Sequence, residues 1–406
     1  MALSKKTSNE RFVSINAKIG RHINRSIVLN SIREKQPISR AKISRITNLN
    51  KSTVSSIVST LIAEDLVVED VHSNREVGRN PINLRVKKGT HLVGAIYFDS
   101  TKTQLALVDL DGTVVSISEM KTDAANPTRF VRQCLEKLTM DREEFPMHRF
   151  RGIGVTVAGI VDSAHLKVVY APNLGWENVE LGTIIRECAP AIEMISVEND
   201  ANASAMAEIL FGKNRIQSTN LVFLSIGTGI GAGILVDNRI LSGSSNAAGE
   251  LGHVMIMEDG ELCACGKRGC WEVYASDRAT LRRYAESKIP DDHKGSTLTI
   301  SAIVDLAKKG DSGAMKALST TARYIGMGIA GIIRAFDPEI IVIGGSITNG
   351  WEIIYPHIME AVAERRFSFN QQGTPILRTS LTETPPLLGA AALSIGKIFT
   401  EYRATV

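Results

Sequence analysis

Twenty-four residues, Gly249 to Glu272, read GELGHVMIMEDGELCACGKRGCWE and set the hardest constraint on what this chain can fold into. Three of the five cysteines, Cys263, Cys265 and Cys270, fall inside eight residues, and His253 stands ten positions before the first of them. Three thiolates and one imidazole make a closed four-coordinate shell, a donor set that suits structural Zn2+ better than a catalytic ion. Ligands this close in sequence converge only where the backbone turns sharply, and Gly266 and Gly269 allow that. The stretch therefore predicts a zinc site built from His253, Cys263, Cys265 and Cys270; the alternative is three buried free thiols of a reduced protein. An odd number of cysteines with three clustered argues for a metal in a reducing compartment, not a disulfide framework.

Glu250 lies three residues before His253 and Glu272 two after Cys270. If both neighbours are pinned to one ion, the two carboxylates are held beside it. Fixed carboxylates and an oriented imidazole are acceptors and donors of the kind that sugar hydroxyls require. The patterns E-x-G-H at Glu250 to His253 and C-x-C-G-x-x-G-C-x-E at Cys263 to Glu272 resemble the signature of the ROK family, which holds bacterial sugar kinases and sugar-responsive repressors. That resemblance implies a zinc loop bracing a monosaccharide site.

The N-terminal part has a different character. Of the residues from Met1 to Thr60, twelve are Lys or Arg and only Glu10 and Glu34 are acidic, although the whole chain of 406 residues carries a net charge of just +4. A basic segment on an acidic remainder is the footprint of nucleic-acid binding. RHINRSIVLNSIRE predicts a first helix; Ser39 is placed to cap a second, RAKISRIT, with Ile43 and Ile46 three apart. After the turn Thr47 to Asn50, a third helix begins near Lys51 with Val54, Ile57, Val58 and Leu61 as its core stripe. Its polar start (Lys51, Ser52, Thr53, Ser55 and Ser56), together with Arg40, offers short side chains for base edges and phosphates. LVVEDV and INLRV predict two strands of a wing whose hairpin presents Arg75 and Arg79 to phosphate or the minor groove. The alternative is a helical protein-docking module. The run PISRAKISRITNLNKSTVSSIVSTL is similar to the xylose-repressor branch of ROK regulators.

From Leu92 on, strand-like and helix-like stretches alternate in two βββα-like series. The first runs from GAIYFDS through PTRFVRQCLEKL to FRGIGVTVAGIVD, read as one strand ending in a Gly turn; the second opens with LVFLSIGTGIGAGILVDNRI and reaches IIVIGGSIT. The expected fold class is α/β: a winged helix-turn-helix over 1–88, then a two-lobed actin/hexokinase-like (ribonuclease H-like) body. Its lobes are expected over 89–200 and 201–406, with PPLLGAAAL starting a small-residue C-terminal helix that returns to the first lobe. Asn173, in a segment resembling the family's PN-x-x-W, and Asn199 and Asp200, at a strand-to-helix junction, join Glu250, His253 and Glu272 as sugar-binding candidates. In ROK kinases the residue matching Asp200 is the general base, a role a carboxylate suits; an N-cap is the structural alternative.

Two departures narrow the function. Where ROK kinases carry D-x-G-G-T-K, this chain reads Tyr97-Phe98-Asp99-Ser100-Thr101-Lys102, without the glycine pair, with the bulky Phe98 nearby and with a carboxylate at Asp99 that would repel phosphate; the second loop, Gly227 to Gly233, survives. Xylose-responsive repressors of the family often carry Glu where this chain has Asp200, so the resemblance leaves the sugar open between xylose and a hexose. The expectation is a non-enzymatic, sugar-responsive repressor, induced by its sugar and working on double-stranded operator DNA as a homodimer or dimer of dimers. A hexose kinase with an added DNA-binding domain and a regulator controlled by a protein partner are the rivals. With no apolar run of membrane length and no signal peptide, a cytoplasmic protein is expected, bound to the bacterial nucleoid when on DNA.

Overall fold

The computed structural model describes residues 17–70, 82–192, 194–214, 216, 218–287, 298–365, 373–381 and 384–400. The chain divides into two compact units, one made of Met1–His91, Met147–Arg149 and Ile395–Val406, the other of Leu92–Pro146 and Phe150–Ser394. Among the described residues, no helix is long and apolar enough to cross a membrane.

In the first unit, α1 (Ala17–Lys35), β1 (Ile38–Ser39), α2 (Arg40–Thr47), α3 (Lys51–Ala63), β2 (Val67–Asp70) and β3 (Asn83–Val86) follow one another. Ser39 caps α2 by accepting the Lys42 N–H at 3.3 Å. Asn48 leaves the helix in the left-handed region, at φ 56°, and so starts the turn into α3. Val28, Leu29 and Ile32 of α1, Ile43 of α2, and Val54, Val58 and Leu61 of α3 form a fully buried centre. Ile46 faces solvent instead, because the eight-residue α2 lays only one ridge on its neighbours. The strands pair in the order β1-β3-β2. Ile38 adds β1 as a third strand by pairing with Leu84. Arg75 and Arg79, expected on a wing hairpin, lie outside the described residues.

The second unit opens with β4 (His91–Phe98), β5 (Lys102–Asp109) and β6 (Val114–Lys121), then α4 (Pro127–Glu143) and β7 (Arg149–Val157). β8 (Ile160–Asp162), β9 (Lys167–Ala171), β10 (Trp176–Val179), α5 (Leu181–Cys188), β11 (Ile195–Asn199) and α6 (Asp200–Phe211) complete its first lobe. The second lobe holds β12 (Leu221–Ile226), β13 (Ile230–Val236) and β14 (Arg239–Ile240), followed by α7 (Glu272–Ala275), α8 (Asp277–Glu286), α9 (Ile300–Lys308) and α10 (Ser312–Phe336). It closes with β15 (Ile340–Gly344), α11 (Trp351–Ala363), β16 (Ile376–Arg378) and the start of α12 (Pro385–Thr400), which from Ile395 on belongs to the first unit.

The two five-stranded sheets run β11-β7-β4-β5-β6 and β14-β13-β12-β15-β16. Read from the meander edge, each is third, second, first, fourth, fifth in chain order. Antiparallel β4–β5–β6 and β12–β13–β14 supply the meanders, and parallel pairs such as β7 with β11 and β12 with β15 extend the other side. One topology repeated in one chain is the duplicated architecture of the sugar-kinase fold. The stretch FRGIGVTVAGIVD, expected as one strand ending in a Gly turn, divides into β7 and β8, and β8 belongs to a small three-stranded sheet, β10-β9-β8. The chain turns at Gly159, where a Cβ would stand 2.4 Å from the Tyr170 carbonyl oxygen.

α12 packs against the first lobe with no room to spare. A Cβ at Gly154 of β7 would stand 1.7 Å from the Ala390 carbonyl oxygen, and one at Gly389 would stand 2.6 Å from the Ala203 backbone. The obstacle is backbone on both sides, so neither partner yields by changing a rotamer. Gly154→Ala is expected to cost about 3 kcal/mol, the upper end for overpacking, read as a lower denaturation midpoint with an unchanged denaturant slope. A midpoint equal to that of the parent would show that α12 does not approach β7 this closely.

Candidate functional site

Residues 249–272 fold into a loop whose backbone closes on itself. Cys263 N–H donates to the Lys267 carbonyl at 2.7 Å, Ile256 N–H to Gly269 at 2.8 Å and Trp271 N–H to Val254 at 2.9 Å. Gly269 has φ +75°, and a Cβ there would lie 1.7 Å from the Met257 carbonyl oxygen, so only glycine fits. Trp271 anchors the loop: its indole is buried, fits into a notch at Gly328 of α10, and donates to the Tyr324 carbonyl at 2.7 Å.

One ligand atom from each of His253, Cys263, Cys265 and Cys270 lies within 4.8 Å of all the others. The Cys265 and Cys270 sulfurs are 3.6 Å apart, and His253 Nδ1 is 3.7 Å from Cys263 Sγ. Around one tetrahedral zinc, bonds of ~2.3 Å to sulfur and ~2.0 Å to nitrogen put ligand atoms roughly 3.5–3.8 Å apart. The donor set and its spacing thus fit a metal ion such as zinc. Nδ1 is the imidazole nitrogen turned to the sulfurs, while Nε2 faces Glu250 at 4.0 Å. Glu272 Oε1 sits 3.6 Å from His253 Nδ1.

The second contribution comes from the start of α6. Asn199 is the cap: its Oδ1 accepts the N–H groups of Ala201 at 2.9 Å and Asn202 at 3.1 Å, and its Nδ2 donates to the Gly159 carbonyl at 3.0 Å. Asp200 is therefore the first helical residue and not the cap. Burial first of all, with the nearby Glu250 and Asp99 carboxylates adding to it, raises the Asp200 acid to about 6 against backbone hydrogen bonds that lower it. Burial, then the Asp200 and Asp99 charges, also pushes the Tyr97 phenol up. Burial raises Glu250 too, with His253 opposing and Glu272 adding. Asp200 thus feels the charges of Glu250 and Asp99, and Glu250 in turn feels those of His253 and Glu272.

Close packing of glycines ties these pieces together. A Cβ at Gly233 of β13 would lie 2.2 Å from the Ala201 carbonyl oxygen, one at Gly249 2.5 Å from that of Ala232, and one at Gly252 2.4 Å from that of Ile230. β13 is clamped between the start of α6 and the Glu250–His253 segment. Within GTGIGAG, Gly231 and Gly233 serve this packing, both facing Ala201.

Asn173 stands apart. It is exposed on the single 3-10 turn Pro172–Leu174, and no contact found among the described residues joins it to the other candidates. Its neighbour Trp176 is buried against Phe98, ring centroids 5.0 Å apart, and donates to the Ala124 carbonyl at 3.0 Å. Phe98 itself is wholly inside the first-lobe core, so the bulk expected beside a phosphate loop points away from it. Asp99 remains at that hairpin, accepting from Thr101 Oγ1 at 3.3 Å.

Glu198 escaped the sequence reading. Buried in β11, it accepts the Asn199 N–H at 2.8 Å, Asn202 Nδ2 at 3.1 Å and Ser163 Oγ at 2.6 Å, which sets the α6 start against the β8–β9 turn. The available signal was a carboxylate inside the apolar strand MISVEN.

In the helix-turn-helix unit, Lys51, Ser52, Ser55 and Ser56 are exposed on one end of α3, with Thr53 half-buried. Arg40 pairs with Glu69 of β2 at 2.8 Å, which ties the start of α2 to the sheet.

Three comparisons with known proteins complete the picture. The ROK family model matches residues 93–397. A xylose repressor of Bacillus subtilis (strain 168) is 32% identical over 375 residues, covering 92% of this chain and 95% of that protein. The crystal structure of a ROK family transcriptional regulator, a homolog of the E. coli MLC protein, superposes with a TM-score of 0.80 at 28% identity, covering 94% of this chain and 97% of that one. A ROK family glucokinase from Streptomyces griseus in complex with glucose and AMPPNP gives a TM-score of 0.66 at 28% identity, covering only 74% of this chain but 98% of its own.

Proposed function

Because the chain belongs to the ROK family, we propose that it is a sugar-responsive transcriptional repressor whose two-lobed body is an effector sensor and not a kinase. The observation that carries this is the pairing, on one chain, of a helix-turn-helix with an exposed polar α3 start and a body that gathers Asp200, Glu250, His253 and Glu272. The repressor relatives extend over the N-terminal unit as well as the body, whereas the glucokinase covers a smaller share of the chain.

In this reading a monosaccharide lies against Asp200, Glu250, His253 and Glu272, with Asn199 holding the helix start that presents Asp200, while Asn173 is a sugar contact by its sequence pattern alone. Carboxylates accept from hydroxyls, and the imidazole donates. A structural zinc held by His253, Cys263, Cys265 and Cys270 would supply charge and rigidity. Taking Nδ1 as its ligand, it would leave Nε2 protonated toward Glu250 and the sugar. Asn199 acts by holding the α6 start, since both ends of its carboxamide are already engaged.

DNA is read by the α3 start, with Lys51, Ser52, Thr53, Ser55 and Ser56 toward the major groove and Arg75 and Arg79 of the wing on the backbone or minor groove. Arg40, held by Glu69, serves as a phosphate contact of fixed direction. A homodimer would read half-sites about one helical turn, ~34 Å, apart. The sugar moves the DNA equilibrium only as far as its affinities for the two states differ, and release of DNA is the expected direction. The protein acts in the cytoplasm, where its operator is.

The test is binding of the full chain to its own promoter at fixed salt, titrated with xylose, glucose and N-acetylglucosamine. One sugar is expected to weaken binding at least ~10-fold, about 1.4 kcal/mol of coupling. Binding that no sugar shifts would hand control to a protein partner; no binding at all would remove the repressor reading. The kinase reading keeps one observation, Asp200 raised into the range of a general base. A coupled assay with ATP and the same sugars is expected to stay below ~1 turnover per second.

A further inference from the structure

Adjacent parallel strands β12 and β15 end side by side, with Ser225 opposite Gly344. The turns that follow, at Gly227 and at Gly345–Ser346, therefore share one crevice beyond the carboxyl ends of the strands, the place where open α/β sheets receive ligands. A Cβ at Gly227 would meet nothing within 4 Å, so the crevice is open there. Gly345, at φ +108°, is pressed onto the end of β12, its Cβ position 1.8 Å from the Ile226 carbonyl oxygen.

Asp277 stands between these turns as the first residue of the ten-residue helix α8. Its N–H donates to the Gly227 carbonyl at 2.8 Å, and its Oδ2 accepts from Ser346 Oγ at 2.6 Å. Its Oδ1 is buried with no hydrogen-bond partner. At the other end of the glycine loop, a Cβ on Gly229 would lie 2.6 Å from Glu272 Oε2. The one phosphate-loop sequence that this chain retains thus has a carboxylate at each end. A helix N-terminus at such a turn is ordinarily an anion site; here the anion is already part of the chain.

We propose that Asp277 is an anion gate, its carboxylate held across the Gly227 and Ser346 turns so that nucleoside triphosphates are excluded and the body takes sugar alone. The gate rests on the reading of the body as a sensor and supplies its physical reason. It acts apart from Asp99, which sits on the first lobe. Burial, against the hydrogen bond from Ser346, lifts the Asp277 acid to about 6, which leaves it mostly ionised at neutral pH.

The experiment is calorimetric titration of the full chain with MgATP and with inorganic tripolyphosphate, for the parent and for Asp277→Asn. Asparagine keeps the shape and can still accept from Ser346, but carries no charge. The parent is expected to bind neither probe up to ~1 mM. Asp277→Asn is expected to bind tripolyphosphate at least ~10-fold more tightly than the parent. Two results overturn the gate: micromolar binding of MgATP by the parent, or an Asn variant that keeps its sugar response yet binds tripolyphosphate no better. An Asn variant that loses its melting transition or its sugar response overturns it as well, by making Asp277 a structural residue. Sugar-triggered release of DNA by the parent, measured separately, tests the sensor reading without involving Asp277.

Discussion

Cys270→Ser is expected to strip the metal from the chain and with it the response to sugar, while leaving operator affinity within ~3-fold of the parent. Cys270 is buried, pairs with Met255 across the loop, and has its sulfur 3.6 Å from that of Cys265. A serine hydroxyl does not ionise near neutral pH, so one of the three charge-bearing corners of the shell is lost and the remaining three donors hold the ion far less tightly. The consequence reaches the sugar through His253. Without a metal on Nδ1, nothing fixes which imidazole nitrogen carries the proton or which way the ring points, and Glu250 and Glu272 lose the fixed neighbour that spaces them. Sugar affinity is expected to fall by about 10- to 100-fold, the scale on which lost outer-shell support weakens metal affinity or activity. In the proposed reading operator binding falls to α3, which lies in the other compact unit and shares no residue with this loop. Metal content by mass spectrometry and sugar-dependent DNA release on the same preparation are the readouts. A variant with one tightly held metal and an undiminished response would sink the account of the loop.

Much of this architecture is readable in the sequence where a local pattern dictates the structure. The cysteine spacing leaves few ways to arrange the loop, and the donor atoms do converge. Val54, Val58 and Leu61 recur at helical spacing and are all buried. Ser39 stands where a cap is needed and accepts the Lys42 amide. The failures occur where a distant partner decides. Asn199 and Asp200 are both competent caps; the backbone turn after β11, held by the buried Glu198, gives the cap to Asn199. Phe98 looked like an obstacle to phosphate because its sequence neighbours suggest a loop, but its alternation along β4 sends it into the core against Phe130 and Trp176. The strands β8 to β10 are three to five residues long, too short for periodicity to announce them. Arg40 reads as a free cation until β2 brings Glu69 to it. The glycines of GTGIGAG read as a phosphate cradle, and only the fold reveals that Glu272 and Asp277 flank the loop.

Asp200→Asn is expected to abolish the sugar response without weakening the fold, and its pH dependence distinguishes that outcome from simple damage. Asp200 is raised to about 6 by burial and by the Glu250 and Asp99 carboxylates, with Tyr97 also facing it. A carboxyl whose folded pKa lies above its unfolded one contributes stability at low pH that disappears as pH rises through about 6. At neutral pH the ionised Asp200 is therefore a burden on the sugar-free protein, and the neutral asparagine is expected to leave its melting temperature unchanged or raise it. Sugar binding has the opposite sign. Hydroxyl donors need the ionised carboxylate, so affinity is expected to hold above pH 7 and fall about 10-fold from pH 7 to pH 5 as the proton returns. In Asp200→Asn that pH dependence should flatten, and the affinity should drop by about 10- to 100-fold, the range for losing a hydrogen bond to a charged acceptor. Calorimetric titration across this pH range, with melting curves of the sugar-free proteins, checks both halves. A variant that melts lower and keeps the parent's pH profile would reassign Asp200 to structure. One that melts as high or higher and no longer responds would identify a residue kept at the expense of stability because the ligand requires its charge.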